Sequence, residues 1–250
     1  MLLTWRQRLP VCVTLLALLT ACASMVISMH GQADRNPAAF TWAALLILIT
    51  LLLDGLDGNV ARWLDGVSAF GADLDTYVDF AGYAIAPALL LYAIWPTGFP
   101  VSLRELVPAL IVIFGAIRLS RFRLYDTSRG LQRFIGLPMT MNASYISLWV
   151  ILGQHNTWVW NAPLPVSLFF ICLAILLPLQ VSRVHYPSVV KAPHTYALSV
   201  ISITALAFIV WLAPSYATHG ALVVLLIGCV YVLVVPLVLR RRDQTSYRHP

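Results

Sequence analysis

Eight apolar runs, most of them close to the thickness of a bilayer, govern what this chain can become. They are Pro10–Met29, Ala38–Leu53 (continuing toward Arg62), Leu74–Trp95, Leu106–Leu124, Met139–Gly153, Leu164–Val181, Tyr196–Leu212 and Ala221–Leu239. A helix rises about 1.5 Å per residue, so about 20 residues cross the hydrocarbon core. Hydrocarbon offers no hydrogen-bond partners, so a spanning segment must satisfy its own backbone, and an apolar run of this length does so as a helix. Only 10% of the 250 residues are charged, against about one quarter in a soluble domain. The expectation is an all-α integral membrane protein with about eight transmembrane helices. Residues 1–250 read as one membrane domain.

Charge placement orients it. If successive connections alternate sides, only Arg35 and Arg104 of the 16 Lys and Arg fall opposite the N-terminal side. The positive-inside rule then puts both termini in the cytoplasm. The net charge of +6 reads as topology plus affinity for anionic lipid headgroups, with nothing to suggest nucleic acid. Arg6 and Arg8 before an apolar stretch look like a signal sequence, and Leu19-Thr20-Ala21-Cys22 like a lipoprotein cleavage site. The length of the stretch and the close second span favour a retained first helix. Cys12, Cys22, Cys172 and Cys229 all lie within spans and form no metal-binding or disulfide pattern.

Against this background four carboxylates stand out. Asp54 and Asp57 are three apart, and Asp75 and Asp79 four apart, so each pair shares one helix face. An ionisable group at membrane depth is costly unless it is paired, hydrated or metal-bound. Arg62 is the only basic residue among them. Trp63–Phe70 contains Gly66 and Ser68 and reads as a tight cytoplasmic connection, making spans two and three antiparallel neighbours. Asp57 and Asp75 then lie about 7.5 and 6 Å from the connection, and Asp54 and Asp79 each about 12 Å. Two facing carboxylate pairs at two depths are expected. Hard oxygen ligands of this kind suit Mg²⁺ or Mn²⁺, and two such ions would clamp a phosphoryl displacement. Gly58 and Ala61 leave room for a substrate, and Arg62 sits at the rim where a phosphate could meet it. A cluster that only binds or conducts cations fits the bare carboxylates as well.

The full pattern Asp54-x-x-Asp57-Gly58-x-x-Ala61-Arg62, eight residues, Gly71-x-x-x-Asp75-x-x-x-Asp79 resembles the signature of CDP-alcohol phosphatidyltransferases. Within that family the chain most resembles membrane-embedded phosphatidylserine synthases. The likeness runs through Phe70–Asp75, Ala86-Pro87-Ala88, Arg118–Phe122, Gly136-Leu137-Pro138 and Val181–Ser188 with Lys191, from about Pro10 to Lys191. Departures lie at Val11 and Ala17, where Asn is usual, at Gly82-Tyr83-Ala84 in place of Ser-Phe-Gly, and at Arg123 in place of Asn. They spare the aspartates and bear on the acceptor alcohol.

The resemblance implies a six-helix core at residues 10–191, with residues 192–250 adding two C-terminal spans and a basic cytoplasmic tail. It implies transfer of the phosphatidyl group of CDP-diacylglycerol to an alcohol, with L-serine favoured and CMP released. Glycerol 3-phosphate, inositol phosphate and choline are the alternative acceptors. A divalent-cation transporter is the alternative of another class, disfavoured because the far halves of the spans are apolar. Carried over residue by residue, Asp54, Asp57 and Asp75 are ligands of two Mg²⁺ or Mn²⁺ ions. Asp79 touches the second ion and is the general base for the acceptor hydroxyl. Gly58, Ala61, Arg62 and Gly71 line the cytidine diphosphate site. Arg118 and Arg121 either hold a substrate phosphate or the serine carboxylate, or snorkel to the interface. Thr14 matches a first-helix position near the nucleotide. A homodimer and a bacterial inner membrane follow from the same resemblance.

Overall fold

The computed structural model describes residues 4–34, 36–96, 100–125, 133–156, 158–182 and 184–187. The seventh and eighth apolar runs, the basic tail, Arg129 and Lys191 lie outside the described residues. What is described is a helical bundle: α1 (Trp5–Ala33), α2 (Pro37–Trp63), α3 (Ala69–Phe80), a π-helical turn (Ala81–Ile85), α4 (Ala86–Ala93), α5 (Leu103–Tyr125), α6 (Met139–His155), α7 (Trp158–Asn161) and α8 (Pro163–Gln180). Among the described residues four helices are long and apolar enough to cross a membrane: α1, α2, the continuous helix Ala69–Ala93 and α8. With their length this makes the chain an integral membrane protein. α5 and α6 form where the fourth and fifth runs predict them but are not among those four. α5 carries Arg104, Glu105, Arg118, Arg121 and Arg123 toward its ends, and α6 has 17 residues.

Helix starts follow local chemistry. Asn36 accepts a hydrogen bond from the Ala38 N–H at 3.1 Å, and Pro37 opens α2 with the one residue that needs no partner for its nitrogen. Ser68 caps α3 by accepting the Gly71 N–H at 3.0 Å. Pro163 opens α8 in the same way as Pro37 opens α2.

The connection between α2 and α3 is tight, as expected. Leu64 and Asp65 turn the chain, with Asp65 at φ 49°, and the Gly66 N–H closes on the Ala61 carbonyl at 2.9 Å. Gly66 lies against the Arg6 carbonyl of α1 so closely that a Cβ has no space there. Pro10 contributes to that approach. Lacking an N–H, it leaves the Arg6 carbonyl without its usual helical donor.

The packing differs in one respect from a simple α2–α3 hairpin. α1 lies along α2 for much of its length and also packs against α3 and α4, whereas direct packing of α2 on α3 is sparse. The close approach of α1 and α2 rests on small residues. Ala17, Ala21, Ala43 and Ala44 are fully buried, and Gly31 faces Ala39. Hydroxyls stitch the two helices together: Thr20 to Thr50 at 2.9 Å, and Ser24 to the Ala43 carbonyl at 2.8 Å.

The third span is continuous from Ala69 to Ala93, but its middle is π-helical, with the Ala86 N–H donating to the Ala81 carbonyl. Pro87 is the physical cause. Its ring clashes with the carbonyl four residues back and it cannot donate, so the ladder takes in one extra residue before it. Gly82 occupies that turn within contact distance of Thr50.

Two short strands add to the helices. β1 (Arg133–Ile135) pairs antiparallel with β2 (His185–Pro187), placing Phe134 opposite Tyr186. The ladder joins the segment before α6 to the segment after α8, two regions 50 residues apart in sequence that each carry family-like stretches.

Candidate active site

Direct contact between α2 and α3 is sparse, and carboxylates lie between the two helices. Asp54 and Asp57 reach in from α2 and Asp75 from α3, with one carboxylate oxygen of each within 4.8 Å of the others. Two oxygens on opposite sides of a Mg²⁺ ion are about 4.0 to 4.2 Å apart, so this trio is close to the size of a single coordination sphere. Asp57 is 6% exposed, and Oδ1 of Asp54 is buried without a hydrogen-bond partner. An orphaned carboxylate oxygen inside a membrane bundle is expensive, and a cation is the group that relieves it. The donor set is hard oxygen throughout, so Asp54, Asp57 and Asp75 fit Mg²⁺ or Mn²⁺.

Asp79, on α3, adds a fourth carboxylate, within electrostatic reach of Asp54, Asp75 and Arg118.

The other predicted positions spread around this cluster. Arg62 is exposed at the rim and folds back, its Nη2 donating to Asn59 Oδ1 at 2.9 Å. The same guanidinium covers Gly58, where an added Cβ would stand 3.6 Å from Arg62 Nη1. Asn59 is fixed in turn by donating to the Gly55 carbonyl at 2.7 Å. Ala61 is half-buried near the end of α2, and its carbonyl closes the turn. Gly71 sits in the first turn of α3, within 3.8 Å (from an added Cβ) of Val11 on α1.

Arg118 and Arg121 lie near the end of α5. Arg118 donates through Nε to the Leu137 carbonyl at 2.9 Å while facing Asp79, and Arg121 donates through Nη1 to the Val181 carbonyl. Each therefore commits one N–H to the backbone on either side of the β1–β2 ladder. That fits neither a bare snorkelling residue nor one wholly devoted to a ligand.

Three contacts escape the sequence pattern. Thr14 of α1 lies 2.6 Å from Asp57 Oδ2, so it meets an aspartate directly. Asn59, between two signature positions, holds Arg62. Tyr83, fully buried, lies beside Asp54. A lone hydroxyl in an apolar run carries no periodic signal; the resemblance puts Thr14 near the nucleotide, and tertiary packing brings it to Asp57.

A family model described as CDP-alcohol phosphatidyltransferase matches residues 7–187, the stretch that contains all of these groups. The chain belongs to that family. It is accordingly a transferase of phospholipid biosynthesis, and that membership does not support the cation-transporter alternative. The CDP-diacylglycerol–serine O-phosphatidyltransferase of Helicobacter pylori is 33% identical over 191 residues, 76% of this chain and 79% of the relative. The archaetidylserine synthase of Methanothermobacter thermautotrophicus is 31% identical over 180 residues, covering 70% and 69%. The CDP-diacylglycerol–serine O-phosphatidyltransferase of Methanocaldococcus jannaschii is 30% identical over 190 residues, covering 76% and 81%.

Proposed function

We propose that this enzyme transfers the phosphatidyl group of CDP-diacylglycerol to L-serine, giving phosphatidylserine and CMP. The observation that carries the acceptor is the naming of these bacterial and archaeal relatives, which are matched over most of their length and are all serine enzymes or archaetidylserine synthases. The convergent aspartates support the chemistry.

Asp54, Asp57 and Asp75 hold Mg²⁺ or Mn²⁺, and Asp79 reaches a second ion. Ions held by these carboxylates would supply positive charge to offset that of the diphosphate and of the departing CMP. Asp79 takes the proton of the serine hydroxyl. The hydroxyl oxygen bonds to the phosphorus that carries diacylglycerol, and the diphosphate bridge to CMP breaks. Arg62, with Gly58, Ala61 and Gly71, receives the cytidine diphosphate at the rim. Arg118, within electrostatic reach of Asp79, and Arg121 hold a substrate phosphate or the serine carboxylate.

Around this site the core is residues 10–191, and residues 192–250 add two spans and a basic tail, eight spans in all. Both termini and the active site face the cytoplasm of a bacterial inner membrane, and the enzyme works as a homodimer.

The test is CMP release by detergent-purified protein given CDP-diacylglycerol, Mn²⁺ or Mg²⁺, and each acceptor in turn. Serine is expected to support release. Release with choline, inositol phosphate or glycerol 3-phosphate but not serine overturns the acceptor. Asp79→Asn is expected to abolish release in a protein that still elutes as a folded species, and a near-normal rate removes Asp79 as base.

A further inference from the structure

Thr14 is 3% exposed, one of few polar side chains buried on α1. Its Oγ1 lies 2.6 Å from Asp57 Oδ2 and 3.0 Å from the Pro10 carbonyl. A hydroxyl has one proton to give. The carbonyl four residues back is already the acceptor of the helical N–H of Thr14 itself, and the carboxylate is both nearer and charged, so the proton belongs to Asp57. One oxygen of Asp57, a member of the cluster shared with Asp54 and Asp75, is thereby held from α1.

A purely structural account must also be met. Thr14 could be one rung of the hydroxyl ladder that joins α1 to α2, alongside Thr20 to Thr50 and Ser24 to the Ala43 carbonyl. Those two rungs end on neutral acceptors deeper in the bundle. Thr14 ends on a carboxylate of the acidic trio. Its level is further fixed by Val11, which faces Gly71 across the start of α3, and by fully buried Ala17. α1 therefore carries a hydrogen-bond donor, at a set height, to one of the three converging carboxylates. Asp54, by contrast, keeps an oxygen without any partner.

We propose that Thr14 is a positioning residue for the cation site, holding Asp57 in the rotamer that lets it share a divalent ion with Asp54 and Asp75. This rests on reading that trio as the cation site. Partners that orient a ligating carboxylate typically change metal affinity by about 10- to 100-fold when removed.

The experiment is Mn²⁺ titration of the full-length protein in detergent without substrates, with free Mn²⁺ followed by electron paramagnetic resonance. Thr14→Val, which keeps shape and loses the hydroxyl, is expected to weaken Mn²⁺ binding by about 10- to 100-fold. Thr14→Ser is expected to bind like the wild type, and so is Thr20→Val, which breaks a neighbouring rung. In an Asp57→Asn background, Thr14→Val should add no further loss. Wild-type affinity in Thr14→Val, or an equal loss in Thr20→Val, overturns the proposal while leaving the cation site standing. If the wild type binds no Mn²⁺, or Asp75→Asn binds it undiminished, the site reading fails first and takes the proposal with it. Should Thr14→Val not elute as a folded species, the comparison of Thr14→Ala with Thr14→Ser decides the same question.

Discussion

The bundle has two interiors built on opposite rules. Where α6, α7 and α8 meet, aromatic rings fill the space. Phe169 is fully buried, with Tyr145, Trp149, Trp160 and Phe170 around it at centroid distances of 5.0 to 5.5 Å. The Tyr145 hydroxyl there donates to the Phe169 carbonyl at 3.1 Å. Where α1, α2 and α3 meet, side chains are small and carboxylates lie among them, with Asp54 Oδ1 left unsatisfied. The first region gains stability by close contact of apolar rings. The second sets carboxylates where rings could pack, and such a cost inside a membrane marks the place where a ligand completes the structure.

Mutations should separate the two regions cleanly. Asp75→Asn is expected to cut CMP release by about 10³-fold, close to 4 kcal/mol of barrier, with little change in thermal stability in detergent. A variant that loses activity only in step with its melting temperature would break the contrast. Phe169→Ala should do the reverse. It should cost about 3 kcal/mol of stability through the cavity it leaves, while Mn²⁺ affinity of the folded fraction holds. Loss of Mn²⁺ affinity in that fraction would mean that the two interiors are coupled.

Gly82→Ala probes the border between them. An added Cβ would come 2.8 Å from Thr50 Cγ2, in the π-helical turn that follows Asp79. Overpacking of this kind costs about 1 to 2 kcal/mol. The expected result is a modest fall in melting temperature together with a fall in turnover, because the same turn sets the direction of Asp79 and Tyr83. A change in stability with turnover intact would assign the turn to packing alone.

Much of this was legible from the chain. The apolar runs predict α1, α2 and α8 to within a few residues, because Pro37 and Pro163 punctuate helix starts locally and Gly66 and Ser68 mark the turn before α3. The spacing of Asp54, Asp57 and Asp75 already places them on facing surfaces. Less was legible where residues distant in sequence meet. Residue counting gives the depth of the four carboxylates, but which oxygens come within one coordination sphere depends on packing. The π-helical turn required both Pro87 and the packing of Gly82 on Thr50. Arg118 and Arg121 could be read as phosphate holders or interfacial charges, and their bonds to the Leu137 and Val181 carbonyls depend on a strand pairing that no local pattern announces.

By itself, then, the sequence determined a membrane-embedded helical chain with carboxylates at fixed intervals, since helix periodicity and the cost of charge in hydrocarbon act locally. The tertiary structure decided which carboxylates meet and what holds them. The packing of α1, α2 and α3 brings three aspartates together and Thr14 to Asp57 across 43 residues of chain. Those contacts depend on the angles and heights at which helices pack, and small residues such as Ala17, Ala21, Gly66 and Gly82 set these only once the helices are together.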